Sequence, residues 1–484
     1  MKKLTDILKN TPVREVCGDT AAAIGGLVYD SRAVKPGDCF FAVPGTQSDG
    51  HDYIPIAVEK GAAAIVCERM PADAAEGVAY VLVGDSAGAM ADMAAAFYDY
   101  PSRELKLVGI TGTNGKTTTA TLLYDLVRAM GYKAGLISTV VYKIDGREVE
   151  ATHTTPDSIR LNAMMREMAD AGCAYCFMEC SSHAIVQERT RGLHFAGGIF
   201  SNITHDHLDY HKTFAEYIRA KKLFFDGLPK GAFALTNADD RNGRVMVQNT
   251  AAAVSAYSLR AMADFRCKIV EMHLDGMLLR IDGQELWVGL LGRFNAYNLL
   301  AVYGAAVLLG LDRGEVLRVL SMLHAVSGRF EKIRAANGTT AIVDYAHTPD
   351  ALENVIQTIE EIRTPGQQLI VVCGCGGDRD RTKRPEMAAI AVKYATTAVF
   401  TSDNPRHESP EAILDDMVAG LEPGARYLRI ADRAEAIRTA VMLSRPGDII
   451  LVAGKGHETY QIVGDVKHPF DDREEIKKRF ALLN

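Results

Sequence analysis

The stretch that decides the fold is an apolar run followed by a glycine-rich turn, Leu105-Lys-Leu-Val-Gly-Ile110 and then Gly112-Thr-Asn-Gly-Lys-Thr-Thr118. The run predicts a buried strand, and the turn predicts a phosphate loop, because glycines let backbone N–H groups converge on phosphate. Lys116 can reach the β- and γ-phosphates of a nucleotide, and the Thr117 hydroxyl can ligate Mg²⁺. The common pattern has glycine where this chain has Ile110, so the loop is a shorter variant.

A helix is predicted directly after the loop, which argues against a chance glycine-rich turn. Its N-terminus would add partial positive charge to the phosphate site. Gly131 suits the position after the last helical turn. The apolar residues before it share one helical face: Leu122, Leu123, Leu126, Val127 and Met130.

The composition is that of an ordinary globular chain with several domains. The chain has 484 residues, of which 48% are hydrophobic and 24% charged, and domains average roughly 100–200 residues. The net charge of −7 excludes a basic surface field, so we expect no nucleic-acid partner. We expect no signal peptide, because the first residues lead into no long apolar stretch. No apolar run reaches membrane-spanning length, and we expect the nine cysteines to be reduced thiols. These features predict a cytoplasmic protein, and we expect it to be a monomer.

Three segments of alternating strands and helices predict an α/β protein with three domains. A polar break at Tyr100-Pro-Ser-Arg-Glu104 ends the first segment, and a new series of strands begins near Ala335. We place the domains at residues 1–103, 104–334 and 335–484. In the central segment, the alternation that continues to about residue 330 predicts a parallel sheet covered on both faces.

Four polar clusters follow the apolar strands of the last segment. In open α/β sheets, ligands bind outside the carboxyl ends of the strands, so these clusters predict a binding site. The clusters are Asp344-Tyr-Ala-His347, Gly374-Cys-Gly-Gly-Asp-Arg379, Asp403-Asn-Pro-Arg406 and Gly454-Lys-Gly-His-Glu458.

The phosphate-loop string resembles that of the Mur ligase family, and the resemblance extends over nearly all of the chain. It implies an N-terminal UDP-binding domain with a small α/β fold, a central ATPase domain with a P-loop-type parallel sheet, and a C-terminal Rossmann-like domain that binds an amino acid. Five further motifs occur in the order of the family: Met178-Glu-Cys-Ser-Ser-His-Ala184, Asn202-Ile-Thr-His-Asp-His-Leu-Asp209, Ala220-Lys221, Gly292-Arg-Phe-Asn-Ala-Tyr-Asn298 and Asp344-Tyr-Ala-His-Thr-Pro349.

The resemblance implies ATP and two Mg²⁺ ions as cofactors. Hard cations would relieve the repulsion between ATP and a carboxylate nucleophile. The simpler alternatives are a solvent-exposed carboxylate for Glu179 and a structural histidine for His207. The implied metal ligands are Thr117, Glu179, His207 and Lys221. The implied ATP contacts are Gly112, Thr113, Asn114, Gly115, Lys116, Thr117, Thr118, Asn295, Asn298, Arg329 and Asp344.

Lys221 is the unusual member of this set, because a lone lysine on a helix is normally a solvated side chain. The resemblance implies that CO₂ carboxylates its amine, which turns a cation into a metal-binding anion. This reaction requires a neutral amine, which burial favours. Lys222 is adjacent, and only the Ala220-Lys221 motif assigns the role to Lys221.

The implied reaction is ATP-dependent amide-bond formation. A substrate carboxylate attacks the γ-phosphate of ATP, and an amine then attacks the acyl phosphate and releases phosphate. His347 is expected to border the reacting carbonyl. With it, the implied catalytic residues are Lys116, Glu179, His207 and Lys221.

The resemblance also implies the two other substrates, both small molecules. The motif Asp403-Asn-Pro-Arg406 resembles that of the family member that adds meso-diaminopimelate, whose distal carboxylate a guanidinium can clamp. A structural salt bridge is the alternative for Arg406. The expected diaminopimelate contacts are Arg379, Asp403, Asn404, Pro405, Arg406, Gly454 and Glu458. The expected contacts of UDP-N-acetylmuramoyl-L-alanyl-D-glutamate are Ser31, Thr46, Gln47, Ser48, Thr154, Thr155, Ser181 and Arg189, of which Thr46 departs from the usual histidine.

Three other functions fit the sequence less well. A lysine-adding ligase of the same branch would have no use for Arg406, since lysine lacks the distal carboxylate. A nucleotide-binding scaffold that has lost catalysis would have no use for Lys116, Glu179 and the other implied catalytic residues. Folylpolyglutamate synthetase shares the phosphate loop, but the uridine-type turns of the first segment do not fit it.

Overall fold

The computed structural model describes residues 1–45, 48–151 and 153–483. The first unit contains a five-stranded sheet in the order β2-β7-β6-β5-β4, parallel except for β2, and a small β1-β3 ladder. Its strands are β1 (Lys2–Lys3), β2 (Val13–Cys17), β3 (Ala23–Ile24), β4 (Leu27–Val28), β5 (Cys39–Phe41), β6 (Ala64–Cys67) and β7 (Ala79–Val83). Its helices are α1 (Leu4–Ile7), α2 (Ile54–Glu59) and α3 (Ser86–Phe97), with 3₁₀ turns at Ser31–Ala33, Gly50–Tyr53 and Pro101–Arg103.

The central unit is built on an eleven-stranded sheet in the order β11-β10-β9-β12-β8-β13-β14-β15-β16-β17-β18. Its strands are β8 (Lys106–Thr111), β9 (Ala134–Ile137), β10 (Val141–Ile144), β11 (Arg147–Glu150), β12 (Tyr175–Glu179), β13 (Gly197–Phe200), β14 (Phe233–Asn237), β15 (Ala253–Ser258), β16 (Phe265–His273), β17 (Gly276–Ile281) and β18 (Gln284–Val288). Its helices are α4 (Lys116–Ala129), α5 (Ser158–Asp170), α6 (Ser182–Val186), α7 (Leu208–His211), α8 (Phe214–Asp226), α9 (Gly243–Val247), α10 (Arg293–Leu308) and α11 (Arg313–Leu320).

This central sheet is parallel in its middle and antiparallel at both ends, whereas the alternation of strands and helices in the sequence predicts a parallel sheet. β10 and β11 pair antiparallel at one end, and β16, β17 and β18 do so at the other. Two of these hairpins turn at Asp145-Gly146 and Asp282-Gly283, where all four residues have positive φ. Asp-Gly favours two-residue turns of this kind, so the local sequence drives the change in direction.

The third unit has a six-stranded sheet in the order β19-β20-β24-β21-β22-β23, parallel except for the edge strand β19. Its first strand, Glu331–Arg334, lies entirely before residue 335, at which the third domain is predicted to begin. Its strands are β19 (Glu331–Arg334), β20 (Thr340–Asp344), β21 (Leu369–Cys373), β22 (Thr397–Phe400), β23 (Tyr427–Arg429), β24 (Ile449–Ala453), β25 (Tyr460–Val463) and β26 (Val466–Pro469). Its helices are α12 (Pro349–Ile362), α13 (Lys383–Tyr394), α14 (Pro410–Val418), α15 (Arg433–Leu443) and α16 (Asp472–Phe480).

The strand order places the predicted motifs beside one another. β12, β8 and β13 are neighbours, so the phosphate loop after β8 lies between the ends of two other strands. In the third sheet, β20, β24, β21 and β22 are consecutive, so the four polar clusters lie along one edge. A single cluster of buried apolar residues runs from β17 of the central unit to α12 of the third, so these units pack against each other. Within the described residues, no helix is both long and apolar enough to cross a membrane.

Candidate active site

The loop after β8 has the geometry of a phosphate loop. Gly112 and Gly115 have φ angles of 148° and 86°. A Cβ at Gly112 would collide with the Ser201 hydroxyl, and one at Gly115 with the Asn298 side chain. The N–H of Asn114 donates to the Asn202 side-chain oxygen at 2.9 Å, which fixes the loop against the chain that follows β13. The loop is therefore a preformed cradle in which only glycine fits at two positions.

A cavity of about 540 Å³ lies over this loop, where the central and third units meet. Gly112 and Asn295 do not line it; the Asn295 amide instead donates to Leu291 O at 2.7 Å and accepts from Asn298 at 3.1 Å. The lining includes most of the predicted nucleotide and catalytic residues: Thr113, Asn114, Gly115, Lys116, Thr117, Thr118, Glu179, His207, Lys221, Asn298, Arg329, Asp344 and His347.

Lys116 and Lys221 converge on the same backbone carbonyl. The ammonium of Lys116 donates to Gly112 O at 2.9 Å and Thr113 O at 2.8 Å. Lys221, only 1% exposed, donates to Gly112 O at 2.8 Å and lies over the ring of Tyr217. Burial lowers the pKa of Lys116; burial, and then the charge of Lys116, hold the pKa of Lys221 well below its usual range. Lys221 thus has the environment that favours a neutral amine.

Glu179 ends β12 with one carboxylate oxygen engaged and the other not. Its Oε1 accepts from the Thr117 hydroxyl at 2.9 Å and from Thr139 N at 2.7 Å. Its Oε2 is buried and has no hydrogen-bond partner among the described residues. Because an unpaired buried carboxylate oxygen is costly, this position fits a hard cation.

His207 lies in the same cavity but is turned toward its neighbour Asp206. Its Nε2 is 3.4 Å from the Asp206 carboxylate, and burial lowers its pKa to about 4, which favours the neutral imidazole. Within the described part of the chain, no three His, Cys, Asp or Glu side chains are grouped so that they could hold a metal ion. The cavity brings the predicted ligands together, and the metal-ligand set stays a prediction.

Side chains at the start of the third unit line the cavity together with the phosphate loop. Arg329 donates to the Thr117 hydroxyl at 3.2 Å, and its guanidinium lies 4.5 Å from the centre of the Tyr345 ring. Burial raises the pKa of Asp344 to about 6, although Phe330 N donates to its carboxylate at 2.7 Å. His347 Nδ1 donates to Tyr345 O at 2.9 Å. These contacts join the end of β20 to the phosphate loop.

Arg406 and Arg379 form a cationic pair at the ends of β21 and β22. Arg406 has a φ of 49° and donates to Gly377 O at 2.8 Å. Among the described residues, the hydrogen-bond partner of this guanidinium is a backbone carbonyl and not a carboxylate. The role of Arg406 stays a prediction. Burial, and then the nearby charge of Arg379, lower the pKa of Arg406. Two guanidinium groups that repel each other form a site suited to an anion.

The other residues predicted to bind diaminopimelate lie around the pair Arg379 and Arg406. Asn404 is buried and its amide donates to the Glu458 carboxylate at 2.9 Å. A Cβ at Gly454 would come within 2.6 Å of the Asp403 carboxylate, and the backbone of Pro405 packs against Gly377. The predicted cluster therefore exists as one connected surface.

The residues predicted for the muramoyl dipeptide also form a network. The Thr155 hydroxyl donates to Glu179 O at 2.7 Å and accepts from Ser181 N at 3.2 Å, while Arg189 donates to Thr155 O at 2.7 Å. Thr154 and Ser181 line the nucleotide cavity. Of the predicted uridine contacts in the first unit, Ser31 is buried, Ser48 is exposed, and Thr46 and Gln47 lie outside the described residues.

The similarity of this chain to known proteins identifies the family to which it belongs. The chain matches the Mur ligase family catalytic domain over residues 23–98, the Mur ligase middle domain over 110–306 and the Mur ligase glutamate ligase domain over 328–456. It is 55% identical to a protein of Phocaeicola vulgatus named UDP-N-acetylmuramoyl-L-alanyl-D-glutamate–2,6-diaminopimelate ligase, over 99% of each chain. The chain belongs to the Mur ligase family. The Mur ligases are ATP-dependent enzymes that form amide bonds, and so is this chain.

Two further relatives of this Mur ligase have the same name. One, from Bacteroides fragilis, is 55% identical over 99% of each chain. The other is a solved structure that is 31% identical and superposes with a TM-score of 0.71, covering 100% of this chain and 99% of the other. The resemblance on which the sequence analysis rests is thereby confirmed, as is the three-domain α/β fold.

Two residues of this Mur ligase that are not among the predicted site residues, Asp350 and Lys455, form contacts close to the site. Asp350, at the start of α12, accepts from the Asn114 amide at 2.9 Å and from the Thr204 hydroxyl at 3.4 Å. It therefore ties the phosphate loop to the third domain. Lys455 is completely buried and pairs with Glu458. Lys455 lies inside the quoted cluster Gly454-Lys-Gly-His-Glu458, and Asp350 directly follows the motif that ends at Pro349. These positions are the signal that the sequence offers for the two residues.

Replacing Asp350 by alanine should weaken ATP binding while the fold is retained. Because the variant loses the hydrogen bond from the Asn114 amide to a charged acceptor, we expect KM for ATP to rise roughly 5- to 10-fold. The matched control is Glu353→Ala on the same helix, because Glu353 pairs with Tyr394 of its own domain. Steady-state kinetics with varied ATP measure the effect. Equal KM values in the two variants would show that the contact between the domains does not support the loop.

Proposed function

We propose that this Mur ligase joins meso-diaminopimelate to UDP-N-acetylmuramoyl-L-alanyl-D-glutamate, with ATP converted to ADP and phosphate, in the synthesis of peptidoglycan precursors. The observation that carries the proposal is the pair Arg379 and Arg406, which lies beside the Glu458 carboxylate. The distal carbon of meso-diaminopimelate bears one carboxylate and one ammonium. The two guanidinium groups can bind the carboxylate, and the Glu458 carboxylate can bind the ammonium. The printed names of the relatives, which specify 2,6-diaminopimelate, agree with it.

The residues of the cavity supply the chemistry of two successive steps. The D-glutamate γ-carboxylate attacks the γ-phosphorus, the bond to the bridging oxygen breaks, and ADP leaves. The amine then attacks the acyl carbon, loses a proton, and phosphate departs. Lys116 stabilises the charge that develops on the transferred phosphoryl group. Arg329 and Asp344 hold the nucleotide, and His347 borders the acyl carbon.

The residues present fit the implied cations and the modified lysine. The unpaired Oε2 of Glu179 and the Thr117 hydroxyl would hold one Mg²⁺, and His207 with a carboxylated Lys221 would hold the other. When bound, the ions would neutralise phosphate charge next to the attacking carboxylate. Burial, which lowers the pKa of the Lys221 amine, supports carboxylation by CO₂, a reaction that consumes the amine and releases one proton.

The binding residues divide between the substrates according to domain. Thr154, Thr155, Ser181 and Arg189 would hold the dipeptide next to the phosphate loop, and Ser31 and Ser48 the uridine end. The third domain would hold diaminopimelate. We expect these small molecules to be the partners of a monomeric, cytoplasmic enzyme.

The proposal is tested by the amino acid that the enzyme uses. For wild-type enzyme, kcat/KM should be higher with meso-diaminopimelate than with L-lysine by roughly 10²-fold or more, because lysine leaves the guanidinium pair without an anion. Arg406→Ala should raise KM for diaminopimelate by about 10²-fold. Coupled ATPase assays with the UDP-dipeptide measure both values.

The control for Arg406→Ala is Arg438→Ala, because Arg438 is exposed and pairs with Glu435 on its own helix. Wild-type enzyme that prefers lysine would support the lysine-adding alternative. A folded protein that binds ATP but ligates neither amino acid would support the scaffold alternative.

A further inference from the structure

Lys455 has an unusual environment for a lysine. It follows β24 in the turn Gly454-Lys-Gly456, and its side chain has no exposure to solvent. Its ammonium donates to Glu458 Oε2 at 2.8 Å and to Asn404 Oδ1 at 3.1 Å. Burying a lysine completely is costly, so its two hydrogen bonds must be retained for the fold to tolerate it.

These contacts close a ring of three side chains. The amide of Asn404 donates to the same oxygen, Glu458 Oε2, at 2.9 Å. Asn404 Oδ1 also accepts from the backbone N–H of Ile462 at 2.9 Å, which anchors the ring to β25. Neither Asn404 nor the Glu458 carboxylate can rotate without breaking at least one of these bonds.

The ring leaves one carboxylate oxygen available to a ligand. Glu458 Oε2 accepts two protein donors, whereas Oε1 has no hydrogen-bond partner among the described residues. The side chain of Glu458 is 13% exposed and lies close enough to Arg406 for the two charges to interact. A carboxylate held in this way presents a single acceptor in a fixed direction.

We propose that Lys455 is a positioning residue that determines which stereoisomer of diaminopimelate is used. This inference rests on the proposed function. Lys455 fixes Glu458 so that Oε1 alone meets the distal ammonium, while Arg406 meets the distal carboxylate. The fixed positions of Glu458 Oε1 and of the Arg406 guanidinium, together with the direction of the carbon chain, distinguish the two configurations of the distal carbon. If the Glu458 carboxylate could rotate, a ligand of either configuration would bind.

The test compares meso- with LL-diaminopimelate in wild-type enzyme and in Lys455→Met. We expect the variant to raise KM for the meso isomer by roughly 10-fold or more and to lower the ratio of kcat/KM for meso over LL by a similar factor. KM values for ATP and for the UDP-dipeptide should remain at wild-type level. A merely structural role of Lys455 would affect all substrates and leave the isomer ratio unchanged.

A double-mutant cycle with Glu458→Gln separates positioning from general packing. Lys455→Met should have little additional effect on KM for the meso isomer in the Glu458→Gln background, because the carboxylate that it positions is absent. If Lys455→Met alone does not fold, the double variant, which leaves no uncompensated charge, is compared directly with Glu458→Gln. Additive effects, or an unchanged isomer ratio in an active variant, would overturn the inference. Wild-type enzyme that does not use the meso isomer would overturn the proposed function instead.

Discussion

Lys116→Ala should lower kcat/KM by roughly 10³-fold or more, the range in which a single cation that stabilises phosphoryl transfer contributes. The side chain lies across the phosphate loop, held by the carbonyls of Gly112 and Thr113. No other cation in the described part of the loop can replace it, because the remaining side chains of Gly112-Thr-Asn-Gly-Lys-Thr-Thr118 are uncharged. ADP release in a coupled assay measures the loss.

The control for Lys116→Ala is Lys133→Ala. Lys133 belongs to the same domain, but it is half-exposed and pairs with Asp145 on the surface. Both variants should unfold at nearly the same temperature, since burial disfavours the Lys116 ammonium and its removal relieves that cost. Near-normal ligation by a folded Lys116→Ala protein would remove the phosphate-loop assignment.

Lys221→Ala should also be nearly inactive, with kcat lower by roughly 10³-fold, the upper end of what one electrostatic group contributes. The expected cause is loss of the carboxylated side chain. Short carboxylates such as formate or acetate, added to the assay, should restore part of the activity, because they can occupy the space that the side chain leaves. Activity measured against carboxylate concentration tests the prediction.

The neighbouring lysine provides the control for Lys221. Lys222 forms a salt bridge with Asp226 one helical turn away, so Lys222→Ala should retain activity. Mass spectrometry of wild-type enzyme in bicarbonate should show the additional mass of one CO₂. A free amine at Lys221 in fully active enzyme would contradict the carboxylation, whereas inactivity without rescue would leave Lys221 as a structural cation.

The strand before the phosphate loop is the part of the fold that the sequence predicts most closely. The apolar run Leu105–Ile110 coincides within one residue at each end with β8 (Lys106–Thr111), which is buried from Leu107 onward. A short apolar run that a glycine-rich turn follows is typical of a buried strand. The antiparallel ends of the central sheet are not predicted. Their Asp-Gly turns are visible in the sequence, but the regular alternation of strands and helices favours a parallel interpretation.

Some residues of the candidate site can be recognised from the local sequence, whereas others can be recognised only from contacts with distant parts of the chain. Motif residues such as Lys116 and Arg406 are recognised from their neighbours in the sequence. Asp350 and Lys455 are not, because each has a partner that only the fold brings close. Asn114 lies 236 residues from Asp350, and Asn404 lies 51 residues from Lys455. Asn295 shows the converse, since it is predicted as an ATP contact, yet its amide is bonded within the protein. Sequence patterns thus identify candidate groups, while the strand order decides which of them meet.

The contact between Asn114 and Asp350 has a thermodynamic consequence. It belongs both to the nucleotide loop and to the domain that would hold diaminopimelate. If nucleotide binding alters the strength of this contact, it shifts the equilibrium between arrangements of the third domain, and by linkage the reverse also holds. An inhibitor bound only to the third domain would then change the affinity for ATP by the same factor by which ATP changes the affinity for the inhibitor. The two sites would then share one coupling free energy, and a ligand of either site would act on both.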